Sequence, residues 1–209
     1  MAPLFEKNYI KELLKRRIQM ALWGVTEAAG AKPKWLTSES KRDVFANTSG
    51  WVQPAQGISA ARAALATREV LVAIGDLSET EAAGQGLGVA TLTSINWNDQ
   101  EYDKSEGGTI DVTLNFDEEV VVTGLPLINV SGTAGRNHNL AYASGSGTNR
   151  LRMTKVIAAA NAAWNAGDTL NIEANKVSHN AGSTIVDKIG GATAIITHAA
   201  VTETAAVIA

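Results

Sequence analysis

Ile110, Val112, Leu114 and Phe116 alternate with Asp111, Thr113 and Asn115. A period of two predicts a β-strand with one face in a core and the other toward water. A helix would need apolar spacings of three and four, so this stretch commits the chain to sheet. Asp117-Glu118-Glu119 interrupts the alternation and reads as an acidic turn, after which Val120 to Thr123 resumes it. Gly124 and Pro126 punctuate the chain before a second short run, Leu127 to Val130. Strands with turn chemistry between them predict an antiparallel β-sandwich.

The same patterning extends in both directions. Upstream, Arg68 to Leu77 reads as a buried strand, with Val70, Val72 and Ile74 on one side and Leu71 and Ala73 on the other. Gly75, Gly84, Gly86 and Gly88 mark a connection; Gly84 to Gly88 lacks the Lys-Ser or Lys-Thr of a phosphate loop and leads into β-like sequence. Val89 to Trp97 is the next strand, with Thr91, Thr93, Ile95 and Trp97 on one face, followed by an acidic loop from Asn98 to Gly108. Downstream, strands are predicted at Leu140–Ala143, Arg150–Ile157, Thr169–Ile172, Thr184–Val186 and Thr193–Thr197. The expected organisation is an N-terminal helix and attachment arm over 1–67, a strand and Gly-rich connection over 68–88, and a sandwich over 89–209.

The arm differs in character. Phe5, Tyr9, Ile10, Leu13, Leu14, Ile18 and Leu22 fall at helical spacing over residues 5–22, opposite Lys7, Lys11, Lys15, Arg16 and Gln19. This amphipathic, basic helix reads either as a solvated face or as a docking element for an acidic or apolar partner surface. From Gly24 to Gly57 repeated Gly and Pro predict a largely irregular, extended arm, with one helical turn after a Ser or Thr cap near residues 37–45. Trp23, Trp35 and Trp51 fall in this segment. Tryptophan packs cores, but it is also enriched at interface hot spots, and an irregular arm has little core of its own. The candidate partner-binding residues are therefore Phe5, Tyr9, Leu13, Arg16, Arg17, Trp23, Trp35 and Trp51.

Composition excludes several chemistries. There is no cysteine, so disulfides, thiolate metal sites and thiol nucleophiles are absent from this sequence. Lys and Arg total 18 against 21 Asp and Glu, a net charge of −3 that argues against nucleic acid as the main partner. No apolar run approaches the roughly 20 residues of a membrane span, and Met1 to Lys7 lacks the apolar region of a signal peptide. His138, His179 and His198 have no paired ligand spacing, and no G-x-S-x-G elbow is present. The acidic residues between Asp99 and Glu119 suit either a solvated rim that protects strand edges or a calcium pole; the rim is the preferred reading, and no cofactor or metal is expected.

Three segments in order carry a resemblance: Val112 to Val130 (V-T-L-N-F-D-E-E-V-V-V-T-G-L-P-L-I-N-V), Leu140 to Leu151 with Y-A-S-G-S-G-T-N, and Ile172 to Asp187. Over roughly residues 89–200 the chain resembles the bacterial immunoglobulin-like (SwmB-type) repeats of large cell-surface adhesins. Asn180-Ala181-Gly182-Ser183 stands where those repeats carry Asn-Gly-Gly-Thr. A single such domain behind a short unrelated arm is similar to virion structural proteins of tailed phages, cyanophages in particular. The resemblance implies a mainly β, Ig-like antiparallel sandwich; no enzymatic activity is expected, because no catalytic constellation accompanies the strands.

The expected function is a virion structural protein made in the host cytoplasm, first of all a capsid decoration or cement protein. Its partners would be other virion proteins, the major capsid protein first and neck or tail proteins second, with self-association as a further contact. A neck or tail protein and a cell-surface or host-binding adhesive module are the alternatives. An accessory domain of a carbohydrate-active enzyme is disfavoured, because Phe, Trp and Tyr make up only 5% of residues.

Overall fold

A computed structural model describes residues 32–54, 68–75, 77, 87–133, 137–159 and 165–208. The helix expected over 5–22, with Phe5, Tyr9, Leu13, Arg16, Arg17 and Trp23, lies outside these residues.

The protein is mainly β, with an architecture consistent with a β-sandwich. Among the described residues one short helix, α1 (Ser38–Asp43), precedes thirteen strands. β1 (Phe45–Asn47), β2 (Gly50–Gln53) and β3 (Glu69–Ala73) form a small antiparallel group. β4 (Leu92–Trp97), β5 (Glu101–Asp103) and β6 (Gly108–Thr123) lead into the hairpin-rich remainder. That remainder comprises β7 (Leu127–Gly132), β8 (Asn137–Ser144), β9 (Thr148–Ile157), β10 (Thr169–Asn171), β11 (Val177–Ser178), β12 (Thr184–Asp187) and β13 (Ala205–Ile208). The hydrogen-bonded path runs β3-β2-β1-β6-β9-β8-β7-β10-β13-β5, with β4 and β12 also on β6 and β11 on β7. Pairing is antiparallel except at β1–β6 and β5–β13.

β6 organises the chain as its alternation predicts. Ile110, Val112, Leu114 and Phe116 are fully buried in one core with Leu140, Leu151, Met153, Leu170 and Ile185. Burying each such side chain stabilises the fold by about 1.5–3 kcal/mol. Because strands from β6 to β13 along the path contribute to this one core, together with β4 and β12, this part of the sheet must curl over on itself.

Several expectations need correcting. Asp117-Glu118-Glu119 is no turn: β6 runs unbroken through it, and Glu118 and Glu119 are buried. The face of β6 expected in water is half covered, with Asp111 and Asn115 buried among polar neighbours. A bulge between Leu92 and Ser94 shifts the phase of β4, so Leu92, Ile95 and Trp97 are buried while Thr93 is exposed. The strand expected buried at Arg68–Leu77 is a five-residue edge strand with Val70 46% exposed, since only β2 covers one side of it. Thr193–Thr197 forms only isolated bridges, from Thr193 to Val186 and from Ile195 to Thr91.

The arm is also more ordered than its Gly and Pro content implies. Thr37 caps α1 by accepting the Ser40 N–H at 3.1 Å. Beyond α1, β1 and β2 form a hairpin whose Trp51, with Val44, Ala46 and Leu77, makes a second, smaller core. Residues 32–54 are thus annexed to the sheet, with no extended arm among them.

Candidate functional site

The junction between the small strands and β6 concentrates the buried charge. β6 changes partners here: Gly108 to Asn115 pair with β9, Val120 to Thr123 pair with β12, and between them Glu118 lies opposite Ala46 of β1. The acidic triplet occupies this change of register.

Each carboxylate has its own compensation. Glu119 pairs with Arg68 and, at 2.6 Å, with Lys188. Arg68 also lies over the Phe45 ring, 5.0 Å from its centroid, so one guanidinium joins β3, β1 and β6. Asp117 accepts the Thr91 N–H at 2.6 Å. Burial raises its pKa, against the opposing effects of that bond and the Lys32 charge. Asp187, buried in β12, accepts the Ala90 N–H at 3.2 Å, the Ile189 N–H at 2.7 Å and the Gly190 N–H at 2.9 Å.

Glu118 is different. Neither carboxyl oxygen receives a donor, and the residue is 1% exposed. Burial, followed by its side-chain hydrogen bond to Asp187 and the charges of Asp187 and Asp117, pushes its pKa up to about 9. Two carboxylates cannot hydrogen-bond without a proton between them. Asp187 already accepts three backbone N–H groups, and the raised pKa of Glu118 places the proton on Glu118, which donates to Asp187. Among the described residues no group of three or more carboxylates and histidines is arranged to hold a metal ion.

Two open grooves adjoin the junction at α1. The larger, about 680 Å³, lies between Glu39 and Asp43 of α1 and Asn96, Thr113 and Asn115 of β4 and β6. Its floor is already bonded: Asn115 Nδ2 donates to Asn96 Oδ1 at 2.7 Å and to Ser94 Oγ at 3.1 Å. Arg150, paired with Asp43, closes one end, and burial lowers its pKa. The smaller groove, about 420 Å³, is lined by Lys32, Lys41, Arg42, Thr93, Trp51 and Asp117, among others.

Of the candidate residues on the described part, Trp35 is 56% exposed in the turn before α1, while Trp51 is buried in the smaller core. The structure does not bring the two into one buried cluster. The acidic cluster went unrecognised as a junction because acids are ordinarily solvent-facing; the available signal was the parity of Glu118, two residues from both Phe116 and Val120.

No protein-family model matches the chain, and no curated protein and no solved structure matches it.

Proposed function

We propose that this chain is a non-enzymatic structural protein of a tailed-phage virion, in the first place a capsid decoration protein, with an Ig-like sandwich displayed from the particle and the N-terminal segment attached to it. The observation that carries the reading is the anchoring of Lys32. Its ammonium donates to the Lys41 carbonyl at 2.9 Å beside Asp117. The segment before it, with its amphipathic and basic pattern, therefore departs from a fixed point on the folded body.

The chemistry of the resembling motif supports a scaffold. In Y-A-S-G-S-G-T-N the Tyr142 hydroxyl accepts the Ser146 N–H at 2.8 Å, and Ser146 Oγ accepts the Val122 N–H at 3.0 Å. Asn149, buried, donates to the Phe116 carbonyl at 3.4 Å. These polar groups pin the β8–β9 hairpin onto β6.

Deleting residues 1–31 and counting copies on purified particles tests the proposal. Particle occupancy is expected to fall at least tenfold while the truncated protein keeps its β-rich circular dichroism. Full occupancy by the truncated protein would overturn it.

A further inference from the structure

We infer that Glu118 acts as a proton latch: the unit formed by α1 and β1–β3 stays docked on β6 only while this carboxyl is neutral, and its ionisation lets that unit open without unfolding the sandwich. The inference is independent of the virion reading and rests first on how the two parts are joined. Their apolar cores are separate, with Val44, Ala46, Trp51 and Leu77 in one and the residues packed around Ile110 to Phe116 in the other. Among the described residues one register pair, Ala46 with Glu118, links the strands of the unit to the rest of the sheet. The ion pairs across the junction, Arg68 with Glu119, Arg150 with Asp43 and Arg42 with Glu203, each have their cation partly in solvent. A unit whose core holds four buried residues is too small to stay folded alone. Opening at the junction is therefore local unfolding of β1 to β3.

The single link falls on the one buried acid without compensation. Asp187 of β12 faces Glu118 and is itself buried, and Asp117 adds a second like charge from the same strand, partly answered by Lys32. Glu119 is already occupied by Arg68 and Lys188. β1 brings Phe45, Ala46 and Asn47, none of them ionisable. Among the described residues Glu118 has no ion-pair partner, and neither of its oxygens receives a donor. Ionised in place, it would set a second buried charge against Asp187 with no cation to answer it. The cheapest escape is to lift β1 away and let water reach the carboxylate, because the other neighbours of Glu118 belong to the large core. Burial and the neighbouring acids move its pKa from 4.5 to about 9, so between these values the docked carboxyl holds its proton and the exposed one does not. Docking is thus firmest at low pH and loosens as pH rises toward 9.

Hydrogen exchange of the full-length protein, read by mass spectrometry between about pH 6 and 8 with the intrinsic rate divided out at each pH, tests the latch. Peptides covering 44–53 report the small unit, and peptides covering 110–116 report the central strand. Each opening that exposes Glu118 releases one proton, so protection over 44–53 is expected to fall about tenfold per pH unit. At every pH it should stay at least about tenfold below the protection over 110–116, because the unit opens without the sandwich. Glu118→Gln is expected to raise protection over 44–53 and to flatten its pH dependence. Arg68→Ala, which loosens the same junction and leaves the proton in place, should speed exchange over 44–53 and keep the slope, so the test does not hang on one variant folding. Equal protection of the two regions, no pH dependence over 44–53 in the parent, or a slope that persists in Glu118→Gln would overturn the latch.

Discussion

Ala46 lies opposite Glu118, and this parallel register position ties the small strands to β6. A single bridge is a weak hinge, and side chains around it carry the rest. Arg68 spans Phe45 and Glu119, Arg150 pairs with Asp43, and Arg42 approaches Glu203. Arg68→Ala removes both the stacking on Phe45 and one partner of a buried carboxylate. It is expected to destabilise the protein by about 1–3 kcal/mol in chemical denaturation, with Arg68→Lys intermediate because lysine keeps the charge and loses the planar stack.

The buried acid at this junction makes stability depend on pH in a direction opposite to ordinary paired carboxylates. Glu118 has its pKa pushed from 4.5 to about 9. Below pH 4.5 both folded and unfolded chains hold the proton; between there and about 9 only the folded chain keeps it. The stabilisation from this group is thus full at low pH and is lost progressively as pH rises toward 9. Glu118→Gln keeps the donor to Asp187 and removes the titration. It is expected to be more stable than the parent by about 2 kcal/mol at neutral pH, with the difference growing between pH 5 and 9. Urea denaturation across that range measures it, and a pH-independent difference would rule the proton out.

One hydrogen bond away the sign reverses. Asp187 satisfies three backbone N–H groups that no other group serves in those bonds. Asp187→Ala leaves the buried Ala90 N–H without its acceptor and unties the exposed turn at Ile189 and Gly190, and is expected to destabilise by about 1–3 kcal/mol in the same assay.

Ala181 occupies a left-handed backbone conformation, φ +43°, in the turn between β11 and β12. Left-handed geometry costs a Cβ-bearing residue about 1–2 kcal/mol, offset in part by the greater chain entropy of glycine. Ala181→Gly is expected to stabilise by about 0.5–1 kcal/mol, read as an upward shift in thermal midpoint.

Gly145 is the converse. With φ +111°, a Cβ there would sit 2.0 Å from the Arg150 carbonyl oxygen, inside the hairpin that Tyr142 and Ser146 hold to β6. Gly145→Ala is expected to cost about 3 kcal/mol or more and to expose the β8–β9 turn to limited proteolysis.

Much of the fold was legible in residue order. The alternation of Ile110 to Phe116 predicts the central strand and its core face, and Ser144 to Asn149 predicts a turn between β8 and β9. Short strands escaped the same logic. β1, β2, β5 and β13 have three or four residues each, and their burial comes from partners distant in sequence, as with Val207 opposite Tyr102. The junction was hidden for a different reason. Three consecutive acids read as solvated unless the proton on Glu118, the Arg68 and Lys188 charges and the Asp187 contacts are known, and none of these is local. Both grooves at α1 likewise draw on segments far apart in the chain.

The sharing of β6 among β1, β4, β9 and β12 also sets a timetable. No turn joins β6 directly to β9, β12 or β1. Apart from Val112 to Phe116, which β4 reaches across a short connection, its residues must therefore wait for distant partners, and loop closure precedes that reward. Until those partners arrive, an apolar strand of unusual length is exposed along its hydrogen-bonding edges, ready to pair with another chain. Refolding should accordingly be slow and its yield should fall steeply with protein concentration, so that assembly of this protein is governed as much by how dilute its newly made chains are as by how stable they become.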